Sequence, residues 1–280
     1  MERLSNPVGG PPAPATLARN RRCNARRLAA PLLAAAIVLS IHQACAQTLR
    51  DLSGLSIEDL ADIEITSVSK RAEPLSQAAA SVFVITSDEI RRAGAVNLAE
   101  ALRLAPNLDV ARVNTQDYTI SARGMNSVNA ANKLLVLIDG RSVYTPFFSS
   151  VFWDQQHVML ADVDRIEVIS GPGGTLWGAN AVNGVVNVIT KSAAQTQGGS
   201  VDAKVGDFVQ RGDARWGGKL GDSGSYRVYA LAFEEGDTRL ESGSSAMDAY
   251  RGNQAGFRAD QAAFTGNLTL QGDIYENRVG

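Results

Sequence analysis

The sequence predicts an α+β domain, a small mixed sheet with short helices, followed by the first antiparallel strands of a transmembrane β-barrel. Three observations predict it. The chain opens on an export signal. Residues 71–193 alternate buried-strand runs with short capped helices. From residue 198 the pattern becomes alternating segments broken by Gly, Asp and Ser, and segments of about ten residues with a period of two are the mark of outer-membrane strands.

Residues 1–46 have the form of a cleaved signal peptide. Arg19, Arg21, Arg22, Arg26 and Arg27 supply its positive charge, residues 28–41 its apolar core, and Ala44-Cys45-Ala46 a cleavage motif before Gln47. Its apolar run is shorter than the ~20 residues that span a bilayer. The two cysteines of the chain, Cys23 and Cys45, both leave with it, so the rest has no thiol chemistry in a compartment that permits disulfides. Of 27 basic and 29 acidic residues, the signal takes six arginines and one glutamate, which leaves 21 against 28 and a net charge of −7. That balance argues against nucleic acid as a partner, since a basic patch is its usual footprint. His157 is the one histidine after residue 46. With it alone, no His-rich metal centre is expected, nor a cofactor or a catalytic group. No later segment is apolar enough for a spanning helix, which leaves a barrel as the route into a membrane.

The elements follow in order. Residues 47–70 form an N-terminal extension, with a short helix over 57–61 capped by Ser56 and then the strand-prone IEITSVSK, 63–70. VFVIT, 82–86, is the first buried strand. Ser87 caps a helix through Arg92 that Gly94 ends. Asn97 with Glu100 opens a second helix over 98–104, which stops before Pro106. Strands follow at 108–113, 118–122, 134–138, 165–169 and 185–190. In the barrel-like part, Arg227, Tyr229, Leu231 and Phe233 share one strand face, while Tyr226, Val228, Ala230 and Ala232 share the other. About four candidate strands are present in 198–280, and the smallest barrels have ~8, so a fragment of a longer protein is expected.

The glycine-rich stretch GPGGTLWGANAVNG, 171–184, follows a strand and so invites a phosphate-loop reading. A dinucleotide fingerprint needs a third glycine where Leu176 stands and an acidic residue ~20 positions on, where Gly198 and Gly199 lie. No Gly-Lys-Ser/Thr follows. The stretch is better explained as a sharp linker between two strands, with Trp177 buried and the glycines there for turning and close packing.

RIEVISGPGGTLWGANAVNGVVNVITK (165–191) resembles the closing segment of the plug domain of TonB-dependent outer-membrane receptors. LLVLIDGRSVY (134–144) and ISARGM (120–125) resemble two earlier plug signatures in the same order, and SVFVITSDEIRRAGAVNLAEALRLAPNL (81–108) is similar to the family's opening strand and helices. The resemblance covers about residues 63–193. It implies a plug domain over 71–193 and the first barrel strands over 198–280.

The resemblance also implies roles. Ile65, Thr66, Ser67, Val68 and Ser69 sit where the family carries its TonB box, a segment that pairs with a TonB-type inner-membrane energy-coupling protein by strand addition. Family plugs contact ligand through loops, which makes Arg123, Asn126, Arg141, Tyr144, Phe147, Phe148 and Trp153 candidates. Ser170 departs from the family, where many members carry Arg or Lys before the Gly-Pro, and an ion pair anchoring plug to wall is in doubt there. Arg165 and Glu167 remain the candidates for plug–barrel contact. The implied function is uptake of a scarce ligand, a ferric siderophore or cobalamin, across the outer membrane, with outer-membrane lipid around the barrel. The alternative is a soluble periplasmic ligand-binding or signalling module with a plug-like fold.

Overall fold

The computed structural model describes residues 64–280 other than 69, 79, 125, 128–130, 148, 264 and 265. The chain divides into two units, Met1–Asp51 and Leu52–Gly280, and every described residue belongs to the second. The signal peptide, the helix expected over 57–61, Ser69 and Phe148 lie outside the described residues.

β1 (Glu64–Ile65) and β2 (Glu73–Pro74) pair as a short antiparallel hairpin. β3 (Ser81–Thr86) leads into α1 (Ser87–Ala93). The cap of α1 is Thr86, one residue before the expected Ser87. The Thr86 hydroxyl accepts from the Glu89 amide, and the Glu89 carboxylate accepts the Thr86 amide at 2.8 Å. Only Thr86 has a glutamate three residues on, so only there can the reciprocal box close. Gly94 ends the helix at φ 67°, a left-handed conformation that glycine adopts without strain. Asn97 caps α2 (Leu98–Leu102) by accepting the Glu100 amide at 2.9 Å. This helix is shorter than expected because Leu104 and Ala105 donate three residues back, to Ala101 and Leu102, in a tightened last turn.

β4 (Asp109–Arg112) and β5 (Tyr118–Ser121) form a hairpin. β6 (Leu134–Ile138) turns through Asp139 and Gly140 into β7 (Arg141–Ser142), and β8 (Tyr144–Thr145) pairs with β9 (Ser150–Val151). β10 (Val163–Ser170) and β11 (Gly184–Thr190) are an antiparallel pair joined by the glycine stretch, which holds α3 (Gly174–Trp177). One five-stranded sheet, in the order β3-β10-β11-β6-β7, is the centre of this domain, with β11 and β6 parallel and the other pairs antiparallel.

Both faces of that sheet are covered, which is why β6 reads as an unbroken apolar run and β11 as an apolar run interrupted by Asn187, rather than as alternating strands. On one face Val136, Ile138, Ile166, Val168, Val186 and Val188 pack with Ile90, Leu98 and Leu102 of the helices and with Ile120. On the other, Leu135, Leu137, Ile169 and Val185 form a smaller cluster with Ala181, Val68, Val82 and Trp177. Gly184 begins β11 where a Cβ would stand 2.6 Å from the Ile169 carbonyl oxygen, so only glycine permits this approach of β10 to β11. Trp177 is half-buried rather than buried.

A second sheet follows, with β12 (Gly198–Val205), β13 (Val209–Leu220), β14 (Gly224–Glu235), β15 (Tyr250–Ala263) and β16 (Gly266–Val279) in simple antiparallel order. The expected alternation is present. Arg211, Asp213, Arg227, Leu231, Phe233, Glu235, Tyr250 and Gln254 point inward and are buried. The outward face carries Val201, Trp216, Val228, Phe257, Leu268, Leu270 and Ile274, with Val201 and Ile274 each 76 % exposed. Among the described residues no helix is long and apolar enough to cross a membrane.

Candidate functional site

Two places bring together side chains that sequence reasoning singled out. The first is on the smaller face of the central sheet. Register puts Glu167 of β10 and Asn187 of β11 side by side on that face, both buried. The segment 65–68 lies over them. The Glu167 carboxylate accepts the Thr66 amide at 3.1 Å and the Ser67 amide at 2.9 Å. It also accepts the Ser67 hydroxyl and, at 2.9 Å, the Arg165 guanidinium Nε. Asn187 Nδ2 donates to the Ser67 hydroxyl at 2.9 Å. From the other side Trp177 Nε1 donates to the Ser67 carbonyl at 2.7 Å, and the Lys70 ammonium lies 4.7 Å from the indole ring. Ile65 is fully buried. A carboxylate with no solvent access is tolerated only when paired and hydrogen-bonded, and here one cation and the segment's own donors do both.

This arrangement changes what Arg165 and Glu167 do. Expected to touch the barrel wall, they spend their polar atoms within the plug: Arg165 on Asp164 and Glu167, and Glu167 on Thr66 and Ser67. The wall is held by groups that the sequence reading did not single out. Asp162, buried just before β10, is gripped by Arg215, and Arg227 Nε stands 3.4 Å away, an ion pair longer than a good hydrogen bond. Arg258 reaches Thr190 Oγ1 at 3.0 Å and Asp139 at 3.4 Å. Asp139 accepts the Thr190 amide and hydroxyl, each at 2.8 Å. Arg211 donates to the carbonyls of Val96 and Val158, at 3.0 and 3.2 Å. The polarity is reversed where Arg112 of the plug pairs with Glu235 of the wall. The signal was present in RGDAR, 211–215, since charges at a period of two must share one strand face.

The second place is this seam between plug and wall. His157 sits in it, with its ring centroid 4.9 Å from Phe233 and 6.1 Å from Tyr275, and its Nε2 3.0 Å from Asn277 Oδ1. Burial lowers its pKa to about 4, so the ring is neutral near pH 7. Burial likewise pushes the Tyr118 phenol up to about 12. A cavity of about 30 Å³ lies among Tyr118, Trp153, His157, Phe233 and Tyr250. A larger cleft, of about 370 Å³, lies among Asp139, Arg141, Tyr229, Gln254, Arg258 and Asp273. At the rim, Asp248 in the 236–249 loop accepts the Thr238 amide and hydroxyl, each at 2.7 Å, and the Thr115 amide of the plug at 3.0 Å. Desolvation opposes its charge, yet these donors hold its pKa down at about 2.

The ligand candidates do not converge. Arg123, exposed at φ 58°, lies beside Gly171, at the Gly184–Leu134 end of the sheet, whereas Arg141 follows Ile138 at the opposite end. Asn126 is a loop staple: its side chain donates to the Ile120 carbonyl at 3.1 Å and accepts the Lys133 amide at 3.1 Å. Trp153 packs on the main core. Tyr144 is half-buried in β8, and Phe147, beyond it, is 85 % exposed. Among the described residues no group of three or more His, Cys, Asp or Glu is placed to hold a metal.

Comparison with known proteins gives the same architecture. Residues 74–185 match the family model of the TonB-dependent receptor plug domain. A vitamin B12 transporter, BtuB, of Vibrio vulnificus is 32 % identical over 152 residues, 54 % of this chain and 24 % of that protein. The BtuB of Photobacterium profundum is 32 % identical over 183 residues, 63 % of this chain and 28 % of its own. The chain therefore spans about a quarter of the length of these curated relatives. Among solved structures, the pyoverdine outer-membrane receptor FpvA of Pseudomonas aeruginosa superposes with a TM-score of 0.62 at 20 % identity, over 76 % of this chain and 30 % of that one. The ferric-catecholate import receptor Fiu of Escherichia coli gives 0.58 at 22 %, over 74 % and 28 %. At such identities the likeness is one of fold. Residues 74–185 thus match the plug domain of TonB-dependent receptors, and the chain shares the fold of the outer-membrane receptors named above.

Proposed function

We propose that the protein is a TonB-dependent outer-membrane transporter, gated by its plug, for a scarce ligand such as cobalamin or a ferric siderophore. The observation that carries this is the pairing of two surfaces on one sheet. The inner face of β13–β15 is largely polar, with Arg211, Asp213, Arg227, Glu235 and Gln254 buried against the plug, while the outer face of the sheet is an exposed band of Val, Leu, Ile and Trp. Exposed apolar surface on that scale is suited to lipid and not to water, which disfavours a soluble periplasmic module. Connections support an orientation. Residues 221–223 make a short turn and 236–249 a long loop, and in outer-membrane barrels short turns face the periplasm and long loops the exterior. Thr115, held by Asp248 of the long loop, then marks the plug's outward side.

Ligand would bind on that side, and a TonB-type protein would engage residues 65–69 from the periplasm. Ligand drives the change only through a higher affinity for the state that presents this segment. No covalent chemistry belongs to this reading. The test is uptake by cells that express the full-length protein, with radiolabelled cobalamin and ferric siderophores offered separately. Energy-dependent uptake of one of them supports the proposal. Enzymatic turnover of a substrate by the purified protein, without uptake, overturns it.

A further inference from the structure

Among the described residues, the outward face of β12–β16 carries four charged side chains, and all four lie at one end. They are Glu234 of β14, Arg251 of β15, and Glu276 and Arg278 of β16. Register puts Glu234, Arg251 and Arg278 in one row, next to the 236–249 loop. Elsewhere on that face the exposed side chains are uncharged, among them Phe257, Leu270 and Ile274.

Arg251 stands directly opposite Arg278. Like charges in that relation destabilise a sheet, so the pair calls for an anion. The protein supplies one for Arg278, which donates to Glu276 at 2.6 Å in an exposed ion pair. Arg251 is exposed too, and among the described residues its guanidinium makes no hydrogen bond or ion pair, although Glu234 is its neighbour on β14. A cleft of about 490 Å³ lies here, among Glu234, Tyr250, Arg251, Arg278 and Val279. We propose that Arg251 and Arg278 seat the phosphate of a membrane lipid whose acyl chains lie along the apolar band beside them. The proposal rests on the reading of this sheet as barrel wall.

Position favours a lipid. A charge on a lipid-facing strand is least destabilising at the interface, the depth at which headgroup phosphates lie. Ile274, on the same face of β16, is about 14 Å along the strand from Arg278, so one amphiphile can touch both. A soluble anion would meet the guanidinium groups but not the band. Glu234 and Glu276 balance the two arginines in charge, so the hold comes from short-range bonds and not from net field. Guanidinium supplies such bonds to phosphate in pairs, and an ammonium does not.

The test places the full-length protein in nanodiscs that contain a diphosphorylated glycolipid or the same lipid without phosphate. Native mass spectrometry counts the lipid retained. Wild type should hold the phosphorylated form at least about tenfold more tightly, the scale of hydrogen bonds to a charged group. Arg251→Gln should remove most of that preference, and Arg251→Lys should restore only part of it. Glu234→Gln, which removes a rival acceptor, should strengthen it. Equal retention of the two lipids by wild type overturns the seat, as does a preference unchanged in Arg251→Gln. Inorganic phosphate that displaces the lipid at equal concentration overturns the lipid as occupant. A protein that does not enter the bilayer overturns the wall reading and the seat with it, whereas a failed seat in an inserted protein leaves the transporter proposal standing.

Discussion

Asp162 of the plug and Arg227 of the wall face each other across 3.4 Å, their side chains 2 % and 5 % exposed, and Arg215 holds the same carboxylate. Removal of the carboxylate leaves two buried guanidinium groups without their counter-charge. Asp162→Asn should therefore weaken plug seating by about 3–5 kcal/mol, the cost of breaking a buried pair from one side. Replacement of Asp162 together with Arg227 should cost less than the two single changes summed. Urea unfolding of the plug in detergent-solubilised protein measures both, and a strictly additive pair would refute the coupling.

His157 makes seating sensitive to acid. Its folded pKa, about 4, lies below the ordinary 6.5, so between those values the unfolded chain binds a proton that the folded one does not. Stability must then fall as pH drops from 6.5 towards 4. His157→Gln should flatten that part of the profile, as read from unfolding midpoints at stepped pH. The same slope in wild type and variant would show that another group titrates.

Val68→Pro should abolish uptake and leave ligand binding intact, because proline removes the amide that a strand-adding segment donates. Ile65→Pro should do the same, but it also disturbs β1, where Ile65 pairs with Glu73, so Val68 is the cleaner position. Uptake assays beside equilibrium binding separate the two effects. Normal uptake by the Val68 variant would exclude residues 65–69 as the coupling segment.

Gly184→Ala places a methyl group 2.6 Å from the Ile169 carbonyl oxygen. The β10–β11 pair must part to admit it, a change that costs about 1–3 kcal/mol in a packed interior. Gly94→Ala, at φ 67° with open space around it, meets only backbone strain, of order 1–2 kcal/mol. Thermal unfolding of both tests whether close approach, and not conformation alone, fixes the glycine at the start of β11.

Much of the plug was legible because its signals are local. Asn97 with Glu100, Gly94, and the apolar runs at 82–86, 134–138 and 185–190 each fixed an element. So did the inward placing of Arg227, Tyr229, Leu231 and Phe233, since a strand's faces follow from period alone. The docking of Ser67 on Glu167 was not legible. It joins residues 100 positions apart, and a glutamate in a strand looks the same in sequence whether it meets solvent, wall or a folded-back segment. Asp162 was missed for a related reason, for its partners Arg215 and Arg227 lie on strands that follow it by more than fifty residues. The ligand candidates were chosen by residue type on loops, and type does not say that Asn126 is consumed by the Ile120 carbonyl and the Lys133 amide.

The wall's grip on main-chain carbonyls has an evolutionary consequence. Arg211 holds the carbonyls of Val96 and Val158, Arg227 that of Lys191, and Lys204 that of Ala95. Every residue type offers a carbonyl, so the plug is free to drift in sequence at these four positions while the cations that seize it are not. At these four contacts mutational tolerance is one-sided: a foreign plug of the same backbone course would satisfy them, whereas a wall stripped of these cations would not, and only ion pairs such as that of Asp162 bind the plug's own side chains to the choice.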